Sequence, residues 1–119
     1  VEPLTYREML KLNMKARVLL TDSGGLQEES CITGTPCITL RCTTERPVTL
    51  RKYGGVSELT GNDTTKIARA LSRAMKSPRR KSRPPLWDGH TARRIVKVFA
   101  EIAEEERRAT TKGSRDTRR

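Results

Sequence analysis

The amino-acid sequence predicts an α/β fold in which a Rossmann-like parallel sheet is flanked by helices. Short apolar runs alternate with segments of helical periodicity, which is the order of elements found in parallel sheets. The clearest apolar runs are nearly continuous, as expected of strands that are buried on both faces. Two of them are each followed by a polar loop, at the strand ends where such sheets bind their ligands.

The amino-terminal elements are predicted to be a helix, a strand and a second helix. Residues 6–16 have helical periodicity, and Thr5 in front of them is a candidate N-cap. Residues 17–21 are a short apolar run that is typical of a buried strand. After a polar break, residues 26–33 are expected to form a short helix that Gly34 closes.

Two further strands and a strongly amphipathic helix are expected next. The strands are predicted over 36–40 and, with a weaker pattern, over 56–59. Residues 64–76 carry apolar side chains at helical spacing, and Asp63 can cap that helix. The central part of the chain therefore continues the alternation of strands and helices.

The carboxyl-terminal part is predicted to be a linker, a helix and a basic tail. Residues 77–87 contain three prolines and are expected to be a linker, and the last helix is expected over 91–108. Residues 109–119 offer nothing to bury and are expected to be a disordered basic tail. The predicted domain thus spans residues 1–108.

The chain carries a large positive charge, with 25 Lys and Arg against 14 Asp and Glu and a net charge of +11. The excess concentrates in residues 79–83 and 107–119. A basic surface attracts polyanions, and nucleic-acid binding is one alternative for the function. Because no aromatic-studded strand or recognition-helix pattern accompanies the charge, a solvated linker and tail is the preferred interpretation.

The three cysteines, Cys31, Cys37 and Cys42, are an odd number without a paired C-x-x-C spacing. This pattern disfavours a disulfide framework or a zinc site, so no metal is expected. Cys31 and Cys37 are expected to be small buried apolar groups. The sequence has no apolar run long enough to span a bilayer, which predicts a soluble, cytoplasmic protein.

The loop after the first predicted strand has the composition of an anion site. Ser23, Gly24 and Gly25 stand between a strand and a helix, where free N–H groups and the helix dipole favour a phosphate. The glycine pair is expected to allow positive φ and close approach of a ligand to the backbone. Glu29 lies one helical turn beyond Gly25, and its carboxylate can accept hydrogen bonds from a ribose diol. A tight strand-to-helix turn with no ligand is the alternative.

The loop after the second predicted strand supplies two guanidinium groups, those of Arg41 and Arg46. A guanidinium is a fork-shaped donor that suits a diphosphate. Arg46 precedes a proline and is therefore expected to be extended. An ion pair of this arginine with Glu45 or Glu29 is the alternative to ligand binding.

Three sequence motifs resemble those of the non-hydrolysing UDP-N-acetylglucosamine 2-epimerases, specifically of their C-terminal domain. They are LTDSGGLQEE at residues 20–29, LRCTTERP at residues 40–47 and WDGHTARRIV at residues 87–96. The resemblance covers roughly residues 4–103. It departs from the family pattern at Val48, where many members have glutamate, and this departure concerns the sugar side of the pocket.

The resemblance implies one half of a glycosyltransferase-B-like fold that holds UDP between two Rossmann-like domains. It assigns Ser23, Gly24 and Gly25 to the diphosphate, Glu29 to the ribose and Arg46 to the loop near the phosphates. It also implies a backbone contact between the uracil and the chain near Met9, which completes the expected UDP-binding set.

The resemblance implies no cofactor and no catalytic residue in this chain, because the family's acidic proton-transfer residues belong to an N-terminal domain. His90 and Asp88, both in the third motif, are expected to have structural roles: capping or surface for His90, and turn or N-cap for Asp88. The implied partners are UDP-N-acetylglucosamine or UDP, the N-terminal domain and, in the full enzyme, a homodimer mate. A stand-alone UDP-sugar-binding subunit stays as the second alternative.

Overall fold

The computed structural model describes residues 2–116, with side chains described to residue 109. The chain divides into two units, Val1–Pro84 and Pro85–Arg119. The first unit contains a three-stranded parallel sheet whose strands follow the order β1-β2-β3. The strands are β1 (Leu19–Thr21), β2 (Cys37–Thr39) and β3 (Ser57–Leu59). The predicted α/β class is confirmed.

Three helices flank this sheet: α1 (Tyr6–Lys15), α2 (Gly24–Thr33) and α3 (Thr64–Lys76). Helix α2 packs against all three strands, α3 packs against β2, and α1 packs against α2. Two short 3₁₀ turns, Pro47–Thr49 and Arg51–Tyr53, connect β2 to β3. These two turns were not predicted from the sequence.

Side-chain caps fix the helix ends, and two of the predicted caps are confirmed. The Thr5 hydroxyl accepts the Glu8 N–H while the Glu8 carboxylate accepts the Thr5 N–H, a reciprocal capping box. Asp63 accepts the Lys66 N–H at the start of α3. Gly34 ends α2 with a φ of 75°, a left-handed conformation that favours glycine.

The first unit has an unusually polar interior. Among the described residues, nine buried side chains are polar, against seven buried aliphatic or thiol side chains and two buried prolines, Pro36 and Pro84. The apolar set is Cys31, Cys37, Ile38, Leu50, Val56, Ala70 and Ala74. Threonine and serine hydroxyls fill much of the remaining core, where Thr35, for example, donates to the Asn13 carbonyl at 2.7 Å. Hydrogen bonds satisfy the buried threonine hydroxyls of this core.

The second unit consists of a short irregular segment followed by α4 (Thr91–Asp116). This helix continues past the predicted end at residue 108. Residues 117–119 of the predicted tail lie outside the described residues. The division into a domain over 1–108 and a disordered tail over 109–119 stays a prediction.

Candidate functional site

The start of α2 presents unused N–H groups at the carboxyl edge of the sheet, directly after β1. Ser23 is the N-cap, and its hydroxyl accepts the Leu26 N–H at 3.4 Å. Within the described part of the chain, no hydrogen bond uses the N–H groups of Gly24 and Gly25. Such orphan donors at a helix start, with no acidic side chain in its first turn, form an anion-binding position.

The two glycines form this anion-binding helix start in a different way from the one predicted from the sequence. Helix α2 begins at Gly24 rather than at Leu26, because Ser23 supplies the cap. Neither Gly24 nor Gly25 has a positive φ, so the expectation of left-handed backbone here is wrong. A β carbon on Gly24 would lie 2.6 Å from Glu45 Oε1 and 3.6 Å from Arg46 Cγ, so it would displace the exposed end of the Glu45 side chain.

The loop after β2 reaches the start of α2 and brings its arginine there. The Arg46 Nε lies 3.1 Å from Glu28 Oε1, and the Arg41 guanidinium lies 2.9 Å from Glu45 Oε2. The predicted alternative of an ion pair for Arg46 is therefore realised with Glu28, not with Glu45 or Glu29. Both pairs are substantially exposed, so each is open to exchange with a ligand.

The Glu45 carboxylate takes the position next to the helix start that an anionic ligand would favour. The pKa of Glu45 is held below its ordinary value by a hydrogen bond from its own backbone N–H and by the charges of Arg41 and Arg46. The carboxylate is thus ionised near neutral pH. It stands as an internal anion beside Gly24.

A chain of hydrogen bonds, here called the relay, joins α2 to the loop after β2. Its central residue is Gln27. This side chain is fully buried, and its Oε1 accepts hydrogen bonds from Thr44 Oγ1 at 2.8 Å and Thr49 Oγ1 at 3.4 Å. Thr44 Oγ1 in turn accepts the Arg46 N–H at 3.0 Å. The relay therefore ties the backbone of Arg46 to the second turn of α2.

The other predicted binding residues are placed less closely. Glu29 is half-buried on α2, one turn beyond Gly25, and no described residue forms a hydrogen bond or an ion pair with its carboxylate. Met9 lies in α1, where its N–H donates to the Thr5 carbonyl at 3.0 Å. The structure thus brings together Ser23, Gly24, Gly25 and Arg46, with Glu29 one turn away, and gives no contact of Met9 with them.

Sequence reasoning missed Gln27, Glu28 and Thr44. A signal for Gln27 was present, because Gln27, Ser30 and Cys31 recur at helical spacing and form the buried face of α2. No comparable signal identified Glu28 as the partner of Arg46, since that pair depends on the path of the loop.

Comparison with known proteins identifies the family. A family model described as UDP-N-acetylglucosamine 2-epimerase matches residues 1–100. The chain belongs to the UDP-N-acetylglucosamine 2-epimerase family. It is 42% identical over 99 residues to the enzyme of this name from Methanocaldococcus jannaschii, covering 83% of this chain and 26% of that protein. The Methanococcus maripaludis enzyme is also 42% identical, over 98 residues, with 82% and 26% covered.

A solved structure of this epimerase family shares the fold. The crystal structure of the Methanocaldococcus jannaschii enzyme in complex with UDP-GlcNAc and UDP superposes with a TM-score of 0.72 at 40% sequence identity. The match covers 85% of this chain and 27% of that one. The chain thus spans about a quarter of the length of the epimerases it matches.

The third epimerase-like motif forms an ion pair within the second unit. Arg94 donates to both carboxylate oxygens of Asp88 at 2.9 Å and to the Leu86 carbonyl at 2.6 Å. The guanidinium and the His90 N–H lower the pKa of Asp88 to about 2. His90 is exposed. Asp88 therefore acts in this structure as a turn-stabilising carboxylate.

The thiols of this epimerase-family chain fall into two environments. Cys31 and Cys37 are free and buried, as predicted, whereas Cys42 is exposed in the loop after β2. Burial raises the pKa of both Cys31 and Cys37. Among the described residues, no group of His, Cys, Asp and Glu side chains could hold a metal ion, and no helix could span a bilayer.

Proposed function

We propose that this chain is the UDP-binding C-terminal part of a non-hydrolysing UDP-N-acetylglucosamine 2-epimerase. The observation that carries the proposal is the meeting of the Arg46 loop with the unused N–H groups of Gly24 and Gly25 at the start of α2. A helix start and a guanidinium are complementary to a diphosphate. The solved relative that this chain resembles was crystallised with UDP-GlcNAc and UDP, which supports the choice of nucleotide.

In this proposal each residue has a separate task. The N–H groups of Gly24 and Gly25, with the Ser23 hydroxyl, bind the diphosphate. Arg46 gives up its ion pair with Glu28 and binds the phosphate oxygens instead. Glu29, whose carboxylate no described residue engages, accepts hydrogen bonds from the ribose hydroxyls. Met9 is proposed only to lie near the uracil, where an adjoining backbone group makes the contact. No metal or cofactor takes part in this binding.

The chain supplies no catalytic residue in this proposal. The interconversion of UDP-GlcNAc and UDP-ManNAc requires proton transfer at the sugar, and the groups for it lie on an N-terminal domain. The domain comes from the same polypeptide or from a separate subunit, and the complete enzyme pairs as a homodimer. A cytoplasmic location accords with the two buried free thiols, Cys31 and Cys37.

Isothermal titration of the full 119-residue chain with UDP tests the binding proposal. We expect saturable binding that Arg46→Ala weakens by about 10- to 100-fold, because a charge-assisted hydrogen bond is lost. Glu29→Ala is expected to weaken it by about tenfold for the same reason. Arg69→Ala on the exposed face of α3 is the control and leaves the affinity unchanged.

Mixing tests the proposal of a divided active site. The 119-residue chain is combined with the separately produced N-terminal domain of a related epimerase, and the conversion of UDP-GlcNAc to UDP-ManNAc is followed by NMR. Activity is expected only in the mixture, and Arg46→Ala abolishes it. Epimerisation by the chain alone, or UDP binding that is indifferent to Arg46 and Glu29, would overturn the assignment.

A further inference from the structure

A concave surface lies at the amino edge of the sheet, opposite the edge that carries the candidate UDP site. It has a volume of about 380 Å³ and is lined by Arg51, Gly54, Gly55 and residues 80–83. An adjoining hollow of about 270 Å³ shares Arg51, Gly55 and Arg80 and extends to Gly34 and Pro36, just before β2. We call the two hollows together the basic cleft.

The backbone around the basic cleft is held in place by specific contacts. A β carbon on Gly34 would lie 2.8 Å from the Arg80 carbonyl oxygen, so the glycine lets the basic segment pass close to the end of α2. The Ser82 hydroxyl donates to the Gly54 carbonyl, which joins the same segment to the turn before β3. Arg79 donates to the Ala16 carbonyl at 2.5 Å and anchors the segment to the end of α1. These contacts fix the backbone that forms the cleft within the first unit.

The side chains of the basic cleft are cationic and uncompensated. Arg51, Arg80, Lys81 and Arg83 line it together with no aspartate or glutamate. In the part of the chain that the structure describes, none of these four forms an ion pair, and all four are exposed. Like charges gathered without a counter-charge repel each other, and an anionic ligand relieves that repulsion.

We propose that the basic cleft binds a small ligand carrying two or more phosphate groups, separately from the UDP site. Three guanidinium groups suit phosphate oxygens, which accept their paired N–H donors. The cleft volume fits a few phosphate groups. No aromatic ring lines it for base stacking, since Tyr53 lies outside the lining and has the Lys52 Nζ 4.8 Å above its ring. The inference does not depend on the proposed function.

The test uses inorganic tripolyphosphate and the full 119-residue chain. Binding is measured by isothermal titration at several salt concentrations, and the perturbed residues are mapped by amide NMR. The double variant Arg51→Gln/Arg83→Gln removes two cleft charges. The matched control Arg7→Gln/Arg69→Gln removes two exposed charges from α1 and α3, so both proteins have the same net charge. Circular dichroism checks that each variant folds. A further variant, Arg51→Lys/Arg83→Lys, keeps the positive charge but lacks the paired N–H donors of the guanidinium groups.

We expect one tripolyphosphate per chain, with amide shifts at Gly54, Gly55 and Ser82. The cleft double variant weakens binding by about tenfold or more, the control by much less, and the lysine variant by an intermediate amount. Equal losses in the two glutamine variants would show a net-charge effect and overturn the proposal, as would the absence of saturable binding by the folded chain.

Two further measurements separate this site from other sources of the same chemistry. Arg46→Ala is expected to leave tripolyphosphate binding intact. Loss of tripolyphosphate binding in Arg46→Ala would assign the ligand to the carboxyl edge and overturn the proposal. A single-stranded oligonucleotide is expected to compete weakly. Much tighter, cleft-dependent binding of the oligonucleotide would replace the small-ligand proposal with nucleic-acid binding.

Discussion

The two edges of the small parallel sheet use their charges in opposite ways. At the carboxyl edge every arginine meets a carboxylate, Arg46 at Glu28 and Arg41 at Glu45. At the amino edge, the arginines and lysine of the basic cleft have no acidic neighbour in its lining. Both edges are formed by the same three strands, so the difference comes from the loops and not from the sheet.

This difference separates selective from unselective attraction of anions. A ligand at the carboxyl edge has to exchange existing ion pairs for its own, so only a ligand with the right spacing gains from binding. A ligand at the amino edge breaks no ion pair, and the charge attraction that brings it there is screened by salt. Under the two proposals, the carboxyl edge selects one nucleotide and the amino edge accepts a class of phosphates.

The largest effect is expected where backbone packing shapes the amino edge. A β carbon on Gly55 would overlap the carbonyl group of Thr49, so Gly55→Ala is expected to lower the free energy of unfolding by about 3 kcal/mol. Gly54→Ala is the matched control, because it has open space and only a φ of 92° to accommodate, at about 1–2 kcal/mol. Urea unfolding measures both. Equal losses would mean that close packing at Gly55 does not define the cleft wall.

A smaller effect is expected from the relay that positions the carboxyl edge. Gln27→Met keeps the volume but removes the acceptor of Thr44 and Thr49, which is expected to cost about 1–2 kcal/mol of unfolding free energy. Because Thr44, whose hydroxyl accepts the Arg46 N–H, loses its hydrogen bond to α2, UDP affinity is expected to fall as well. Unfolding and UDP titration measure the two effects, with the volume-conserving Leu71→Met in α3 as the control. A stability loss without an affinity loss would leave the relay a purely structural role.

A more modest change is expected from removing the internal anion at the carboxyl edge. Glu45→Gln takes a carboxylate away from Gly24 and frees Arg41, so UDP is expected to bind about two- to fivefold more tightly. The same change at Glu101, an exposed partner of Lys97 in α4, is the control for net charge. Weaker UDP binding by Glu45→Gln would show that this carboxylate assists the ligand and does not compete with it.

The smallest effect concerns Asp88, whose ion pair lies in the second unit. Its pKa is lowered from an ordinary 3.8 to about 2, so the stabilising contribution is complete above pH 4 and is lost as the pH falls toward 2. NMR titration of the carboxyl carbon is expected to give a midpoint near 2 that Arg94→Gln moves toward the ordinary value. A midpoint near 3.8 in the unaltered chain would show that the ion pair of Asp88 with Arg94 does not persist in solution.

Helices were the most predictable part of the fold because their signals are local. Helix α3 occupies the predicted residues, 64–76, with the predicted Asp63 cap. The strands were located correctly but are shorter than predicted, since a strand ends where its neighbour stops supplying hydrogen bonds. Helix α2 begins two residues early, because a serine cap accommodates glycine in the first turn.

The residues of the candidate site could be predicted from the sequence, but the hydrogen bonds and ion pairs among them could not. Ser23 and Arg46 follow consecutive parallel strands, so topology alone places them at one edge. The pairing of Arg46 with Glu28 and the relay through Thr44 depend on the three-dimensional path of a loop. Residue spacing carries no information about that path.

The polar interior has a consequence for the temperature dependence of stability. Exposure of apolar surface raises the heat capacity on unfolding, whereas exposure of polar surface lowers it. A core built of threonine, serine, asparagine and glutamine beside a few aliphatic groups therefore unfolds with a small heat-capacity change. The free energy of this sheet unit should follow a shallow curve that varies little between cold and warm conditions.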